Sequence, residues 1–380
     1  MAKKNGGWVS WILFPLLLLV SGCSTGLQSE TIIITDSDEM DHPPQDSSPV
    51  QVKKIYRLSD ENADTVQWLG WSSTDSIVGT FKAADLPERF MIRRLAYPFE
   101  QSENITEINM NTSRISLSPD GKHVAEMTMS RKEASLKLNS LKDLKKTEID
   151  KFSASSQMFL QDMSWSDNSQ YISYLVLDSV DSSKKSLRLF DTKTGLSKPY
   201  ALNEFEENDT LISIHISNDG RSALIMLYES DQPVKKTMVL GKLIDDHFEA
   251  KYKRQTGENQ VAWIGNDQFA FLERDGTLYE YDMRNGELSV ILEKVYAYAF
   301  SQDKKFIAYS LQGEDVVYVG KMQGRNVLYN KPVYHGIIPM NLKWNSENSR
   351  LLIQGSSAFT NPNIIQTNYL KEPSLIIELE

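Results

Sequence analysis

LSPDGKHVAEM, Leu117 to Met127, contains the stretch that decides the fold. In Ser118-Pro119-Asp120-Gly121, proline sits at the second turn position, where its fixed φ suits a type I turn. Glycine then takes the left-handed conformation that follows. This is the chemistry of a short hairpin with a bulge. The serine hydroxyl is placed to cap backbone N–H groups inside the turn. Leu117 ends one strand, and Val124-Ala125 opens the next.

The phrase recurs. Trp71-Ser72-Ser73-Thr74-Asp75 precedes Ile77-Val78, and Trp165-Ser166-Asp167-Asn168 precedes Tyr171-Ile172. Ile216-Ser217-Asn218-Asp219-Gly220, Ile264-Gly265-Asn266-Asp267, Phe300-Ser301-Gln302-Asp303 and Trp344-Asn345-Ser346-Glu347 complete seven copies, 36 to 51 residues apart. Where glycine is missing, as after Trp165, Asn168 is expected in the left-handed position. Between phrases lie further runs rich in β-branched and aromatic residues with period-two alternation, such as Leu278–Tyr281 and Leu288–Leu292. Arg274-Asp275-Gly276 and Arg284-Asn285-Gly286 punctuate them as turns. Four strands per repeat of this length is the signature of a β-propeller blade. The fold class is therefore all-β, a propeller of four-stranded blades. Seven phrases predict seven blades, with six remaining if Trp71 opens a partial blade completed by the C-terminus. The last blade is expected at Asn341–Trp344, Leu351–Gln354, Asn363–Thr367 and Ser374–Leu379, with Val52–Leu58 pairing to it and closing the ring. The tryptophans before the turns are expected in the core between blades.

Ser-Pro-Asp-Gly followed by Lys122–Met127 resembles the repeat of TolB-like propellers, also found in the N-terminal propeller of prolyl oligopeptidases. The resemblance covers roughly residues 50–380. Only Leu117–Gly121 carries the full motif, and Ile216–Gly220 comes next.

The N-terminus reads differently. Lys3 and Lys4 precede an apolar run from Trp8 to Val20. A membrane-spanning helix needs about 20 apolar residues, so this run fits the core of a secretory signal. Val20-Ser21-Gly22-Cys23 follows directly and resembles the lipobox of bacterial lipoproteins. That resemblance implies cleavage between Gly22 and Cys23 and a diacylglyceryl group on the Cys23 sulfur, which is the only cysteine in the chain. Two acyl chains suffice for stable membrane attachment. Residues 24–50 carry Glu30, Asp36, Asp38, Glu39, Asp41 and Asp46 with no Lys or Arg, so an extended acidic tether is expected. The expected organisation is a signal at 1–22, a lipidated tether at 23–50 and a propeller at 51–380. A lipoprotein signal ahead of such a propeller is similar to the YqgU-like lipoproteins of bacteria. The expected location is the extracytoplasmic face of the cell membrane.

Chemistry is sparse. The formal charge of −10 argues against nucleic acid, which demands clustered Lys and Arg. G-x-S-x-G is absent, no histidine pair has metal-ligand spacing, and no glycine-rich loop has phosphate-cradling spacing. No catalytic residue, metal or cofactor is expected, and the chain is read as not an enzyme. It is expected to be a monomeric binding or scaffold module for an envelope protein or glycan, the alternative being a glycan hydrolase or lyase using the central channel. Trp68, Asp162, His215, Trp263, Tyr296 and Tyr298 precede or occupy the inner strands and are the candidate channel-mouth contacts.

Overall fold

The computed structural model describes residues 50–58, 65–83, 89–230, 235–257, 260–357 and 373–380. Within them the chain forms 28 strands. After β1 (Val52–Arg57), the first blade is β2 (Thr65–Ser73), β3 (Ser76–Lys82), β4 (Phe90–Ala96) and β5 (Ser102–Ile108). The second is β6 (Thr112–Leu117), β7 (His123–Met129), β8 (Glu133–Ser140) and β9 (Lys146–Ser153). The third is β10 (Met158–Trp165), β11 (Tyr171–Asp178), β12 (Lys185–Asp191) and β13 (Leu196–Ala201). The fourth is β14 (Thr210–Ile216), β15 (Ser222–Glu229), β16 (Lys235–Ile244) and β17 (His247–Gln255). The fifth is β18 (Val261–Trp263), β19 (Gln268–Leu272), β20 (Leu278–Asp282) and β21 (Glu287–Leu292). The sixth is β22 (Val295–Phe300), β23 (Phe306–Leu311), β24 (Val316–Gln323) and β25 (Asn326–His335). The last comprises β26 (Ile337–Trp344), β27 (Arg350–Ser357), β28 (Ser374–Leu379) and, at its outer edge, β1.

Each unit is an antiparallel meander. Hydrogen bonding groups them into six sheets, because β13 and β17 share one parallel bridge, Ala201 to His247, which fuses the third and fourth blades into an eight-stranded sheet. Seven apolar clusters fill the spaces between blades. Leu69, Val78 and Ile92 of the first meet Leu117 and Val124 of the second. Leu224, Met226 and Met238 of the fourth meet Trp263, Phe269 and Phe271 of the fifth. Leu352 and Ile376 of the last meet Trp68, Ile77 and Phe81 of the first. With a core on both faces, second strands are buried almost continuously: β7 runs HVAEMTM with five consecutive buried residues. This replaces the alternation expected from a sheet with one wet face. Period-two exposure survives only toward the outer strands, as in β17.

All seven phrases form the turn between a blade's first and second strands. Ser166 is fully buried; its Oγ donates to Asn168 Oδ1 at 2.7 Å and accepts from Tyr171 N at 2.9 Å. Ser118, Ser217 and Ser301 repeat the arrangement, and Asn345 Oδ1 substitutes by accepting from Ser349 N and Arg350 N, both at 2.9 Å. The left-handed residue after Trp165 is Ser169, at φ 61°, not Asn168. Asn168 spends its side chain inside the turn, accepting from Gln170 N. At Gly121, φ is 72° and an added Cβ would lie 2.5 Å from the Trp71 carbonyl oxygen, so both conformation and space demand glycine.

The outer place of the last blade is taken by β1, which runs antiparallel to β28 with Ile55 opposite Ile377. Asn363–Thr367, expected as a strand there, lies outside the described residues. Val50, placed by the sequence at the end of the tether, is buried in the last blade's core. Arg350 locks the seam: it bonds Asp75 and the Thr74 carbonyl of the first blade, contacts Glu378 of β28 at 3.4 Å and lies over the Tyr97 ring. Tyr56 on β1 donates to Glu378 Oε2 at 2.8 Å. Arg350→Ala is expected to lower stability by ~2 kcal/mol, since it removes the charge-assisted bond to the Thr74 carbonyl and the contact with the largely buried Glu378. Chemical denaturation of the two proteins measures the difference.

Candidate functional site at the channel mouth

The first strands of the blades surround the axis, and their inner edges face the channel unpaired. In such meanders the first-to-second turns share one end of the ring, and the blade-to-blade connections share the other with the second-to-third turns. At the first end, turns join neighbours and reach across. Asp120 N donates to Ser169 Oγ (2.9 Å) and Asn168 N to Asn218 Oδ1 (2.8 Å). Lys304 Nζ pairs with Asp167 Oδ2 (2.7 Å) and Gln302 Nε2 donates to Pro119 O (3.1 Å), linking the sixth blade to the third and second. These cross-links narrow that end.

Farther in, side chains tie adjacent inner strands together. Asp162 on β10 pairs with Arg114 on β6 at 2.7 Å and accepts from Ile214 N on β14 at 3.0 Å. Burial pushes its carboxyl above the ordinary range, against the opposing pull of Arg114. Lys343 Nζ donates to the Leu69 carbonyl at 2.5 Å, and desolvation pushes its ammonium down to about 8. Desolvation likewise pushes the His215 imidazole down to about 4, with Asp167 opposing weakly.

The opposite end is open between the fifth, sixth and seventh blades. Two adjoining cavities of about 320 and 240 Å³ share Gln260, Ala297 and Met340 as lining. The larger adds Tyr296, Gln312 and Glu273; the smaller adds Tyr298 and Asn341. Beside them lies β18, with three residues where the other first strands have six to nine. Tyr296 is 45% and Met340 58% exposed, so an aromatic ring and a thioether stand free at the rim. The Tyr298 hydroxyl lies 3.3 Å from the carbonyl oxygens of both Gln260 and Ala270, fixing the chain beside Gln260. Burial raises that phenol well above its usual range. Among the described residues, Glu273 is the one charged residue in the lining of either cavity; it accepts from Arg254 Nε at 2.9 Å, and Arg254 stacks on Phe271 and Tyr279.

Of the six residues expected at the mouth, Tyr296 and Tyr298 line the cavities. Trp68 and Trp263 do not: they are 2% and 5% exposed and pack edge-on against Phe81 and Phe269 between blades. Asp162 is buried as a strand-to-strand link. His215, on β14, lines neither cavity. Gln260, Gln312 and Met340 were not singled out in the sequence. Amides beside turns look like ordinary solvated surface, and their one signal is the short spacing of 36 residues between the fifth and sixth phrases. Among the described residues no group of three or more His, Cys, Asp or Glu is placed to hold a metal, and no helix is long and apolar enough to cross a membrane. Gly22 and Cys23 lie outside the described residues.

No protein-family model matches the chain, and no curated protein matches its sequence. Solved structures match its architecture. An oligogalacturonate lyase in complex with manganese aligns at TM-score 0.59 and 12% identity, over 93% of this chain and 98% of that one. The oligogalacturonate lyase of Vibrio parahaemolyticus gives 0.59 and 11%, over 92% and 96%. The β-propeller domain of the Trilobed protease from Pyrococcus furiosus gives 0.51 and 14%, over 75% and 90%. Tricorn protease gives 0.45 and 12% over 69% of this chain, which spans only 30% of that one. The chain is a β-propeller of the WD40-like kind. The Trilobed propeller is described as having an open velcro topology; here β1 and β28 hydrogen-bond and close the ring. The expectation that the chain is not an enzyme does not stand. It rested on missing motifs, and a propeller that matches nearly the whole chain is a lyase, so this architecture accommodates catalysis.

His215 gives the channel a measurable signature. Its folded pKa lies below the ordinary value of 6.5, so the unfolded chain binds the extra proton between pH 6.5 and about 4. Stability from this group is complete above pH 6.5 and is lost as pH falls toward 4. His215→Asn is expected to flatten that part of the stability–pH profile, as read from thermal melts between pH 4.5 and 7.5.

Proposed function

We propose that the protein is a lipid-anchored bacterial envelope propeller that takes up a glycan at the open mouth of its channel. The observation that carries the reading is the paired cavity beside β18, where Tyr296 and Met340 stand exposed next to the amides of Gln260 and Gln312. A concave site with apolar rims and a few polar groups is the usual form of a small-ligand site. The narrowed opposite end supports entry from this side alone. The lipobox-like Val20–Cys23 supports anchoring, and the Ser-Pro-Asp-Gly repeat supports kinship with TolB-like and YqgU-like propellers. A second reading, that the mouth also cleaves the glycan, is favoured by the whole-chain likeness to oligogalacturonate lyase.

Two measurements test this. Cells fed a clickable palmitate analogue should label the wild-type protein, and Cys23→Ser should abolish labelling and shift the protein out of the membrane fraction. Labelling that survives the substitution rejects the anchor. Purified protein should bind an envelope glycan preparation and lose binding with Tyr296→Ala. New reducing or unsaturated ends in that mixture would establish the second reading.

A further inference from the structure

The larger cavity carries more information than its shape, and the inference drawn from it rests on the proposed reading of the mouth. Its polar lining residues are Gln260, Gln312, Tyr296 and Glu273. No Lys, Arg or His lines either cavity among the described residues. The Arg254 guanidinium that meets Glu273 is committed to that carboxylate and to the faces of Phe271 and Tyr279. The Lys343 ammonium lines neither cavity and donates to the Leu69 carbonyl. Among the described residues, the lining offers a carboxylated sugar one carboxylate and no cation. Leaving such a charge unpaired in a concave site is costly. Amides serve hydroxyl and acetamido groups well, since each presents two N–H donors and one carbonyl acceptor. An exposed phenol ring supplies a flat apolar surface for the C–H face of a pyranose at small entropic cost. Met340, flexible and polarisable, suits a methyl group on the opposite side.

We infer that the mouth selects uncharged sugar units, with Tyr296 as stacking platform, Gln260 and Gln312 as hydroxyl or acetamido partners and Met340 as a methyl contact, and that it rejects uronates. Recognition of this kind involves no ion pair, so affinity should be nearly independent of salt.

The test is calorimetric titration of the full chain with three probes: chitotetraose, cellotetraose and tetragalacturonate, each at 50 and 500 mM NaCl. The expected result is binding of a neutral probe with little salt dependence and no uptake of the uronate. Tyr296→Ala and Gln312→Ala should each weaken it roughly tenfold, with the thermal melt unchanged because both residues sit at the rim. Salt-sensitive binding of tetragalacturonate alone would overturn the inference while leaving the mouth as a glycan site. Binding of a neutral probe that survives both substitutions, or no binding of any probe, would remove the inference and the reading of the mouth together.

Discussion

The constraint on which this structure depends is the inner edge of the first strands. A propeller removes the outer edges of its sheets from risk by curvature and charge, but seven inner edges converge on the axis with unpaired carbonyl and N–H groups. The protein satisfies some of them from the neighbouring blades on either side. Trp71 donates its indole N–H to the Lys343 carbonyl, Trp165 to that of Ser116 and Trp344 to that of Ala299. Each link runs from the corner of one blade to the inner strand of the blade before it. Lys343 answers the Leu69 carbonyl, Asp162 answers Ile214 N, and Gln161 donates to Leu211. A tryptophan at the corner therefore does two things: it fills interblade volume and supplies the one donor that the neighbouring edge lacks. Phenylalanine would do only the first.

The same logic explains why the turn is repeated more faithfully than the strands. Strand residues need only be apolar and of suitable volume, because cores tolerate such exchange when patterning is kept. The corner has less freedom. A buried hydroxyl must hold a backbone N–H five residues on, and a left-handed residue must sit between them. At the second and fourth blades glycine fills that place; at the third, sixth and seventh it is Ser169, Lys304 and Asn348. Non-glycine residues there carry strain, and the cross-turn bonds, such as Gln302 N to Asn348 Oδ1 at 2.7 Å, hold them in it.

This accounts for what could be read from the chain and what could not. The corner phrases, their spacing and the strands between them follow from local chemistry, so the four-stranded blade and the pairing of Val52–Leu58 with the last blade were legible. The left-handed Ser169 was not, because Asn168 has the stronger intrinsic preference for that conformation and lost it to a hydrogen-bonding role inside the turn. Trp68 and Trp263 were candidates for the mouth because they lie on inner strands. Sequence alone does not say that both faces of such a strand are packed by blades, which leaves large side chains buried whichever way they point. Gln260, Gln312 and Met340 come from three different blades, 28 to 80 residues apart, and only ring closure brings them to one rim.

The mouth is best understood as the place where the inner-edge rule is relaxed. Between the seventh and first blades, and among the second, third and fourth, side chains cross from inner strand to inner strand. The fifth blade has too little inner strand for that. β18 is reduced to Val261–Trp263, and beside it the Tyr298 hydroxyl bonds the carbonyls of Gln260 and Ala270. Shortening one strand costs the pairing of a few residues and opens several hundred cubic ångströms without disturbing the apolar clusters farther out, where Phe269, Phe271 and Ile307 remain fully buried. A ring of near-equal blades thus acquires a single asymmetric opening, and its polar lining is free of the packing demands that fix the rest of the axis.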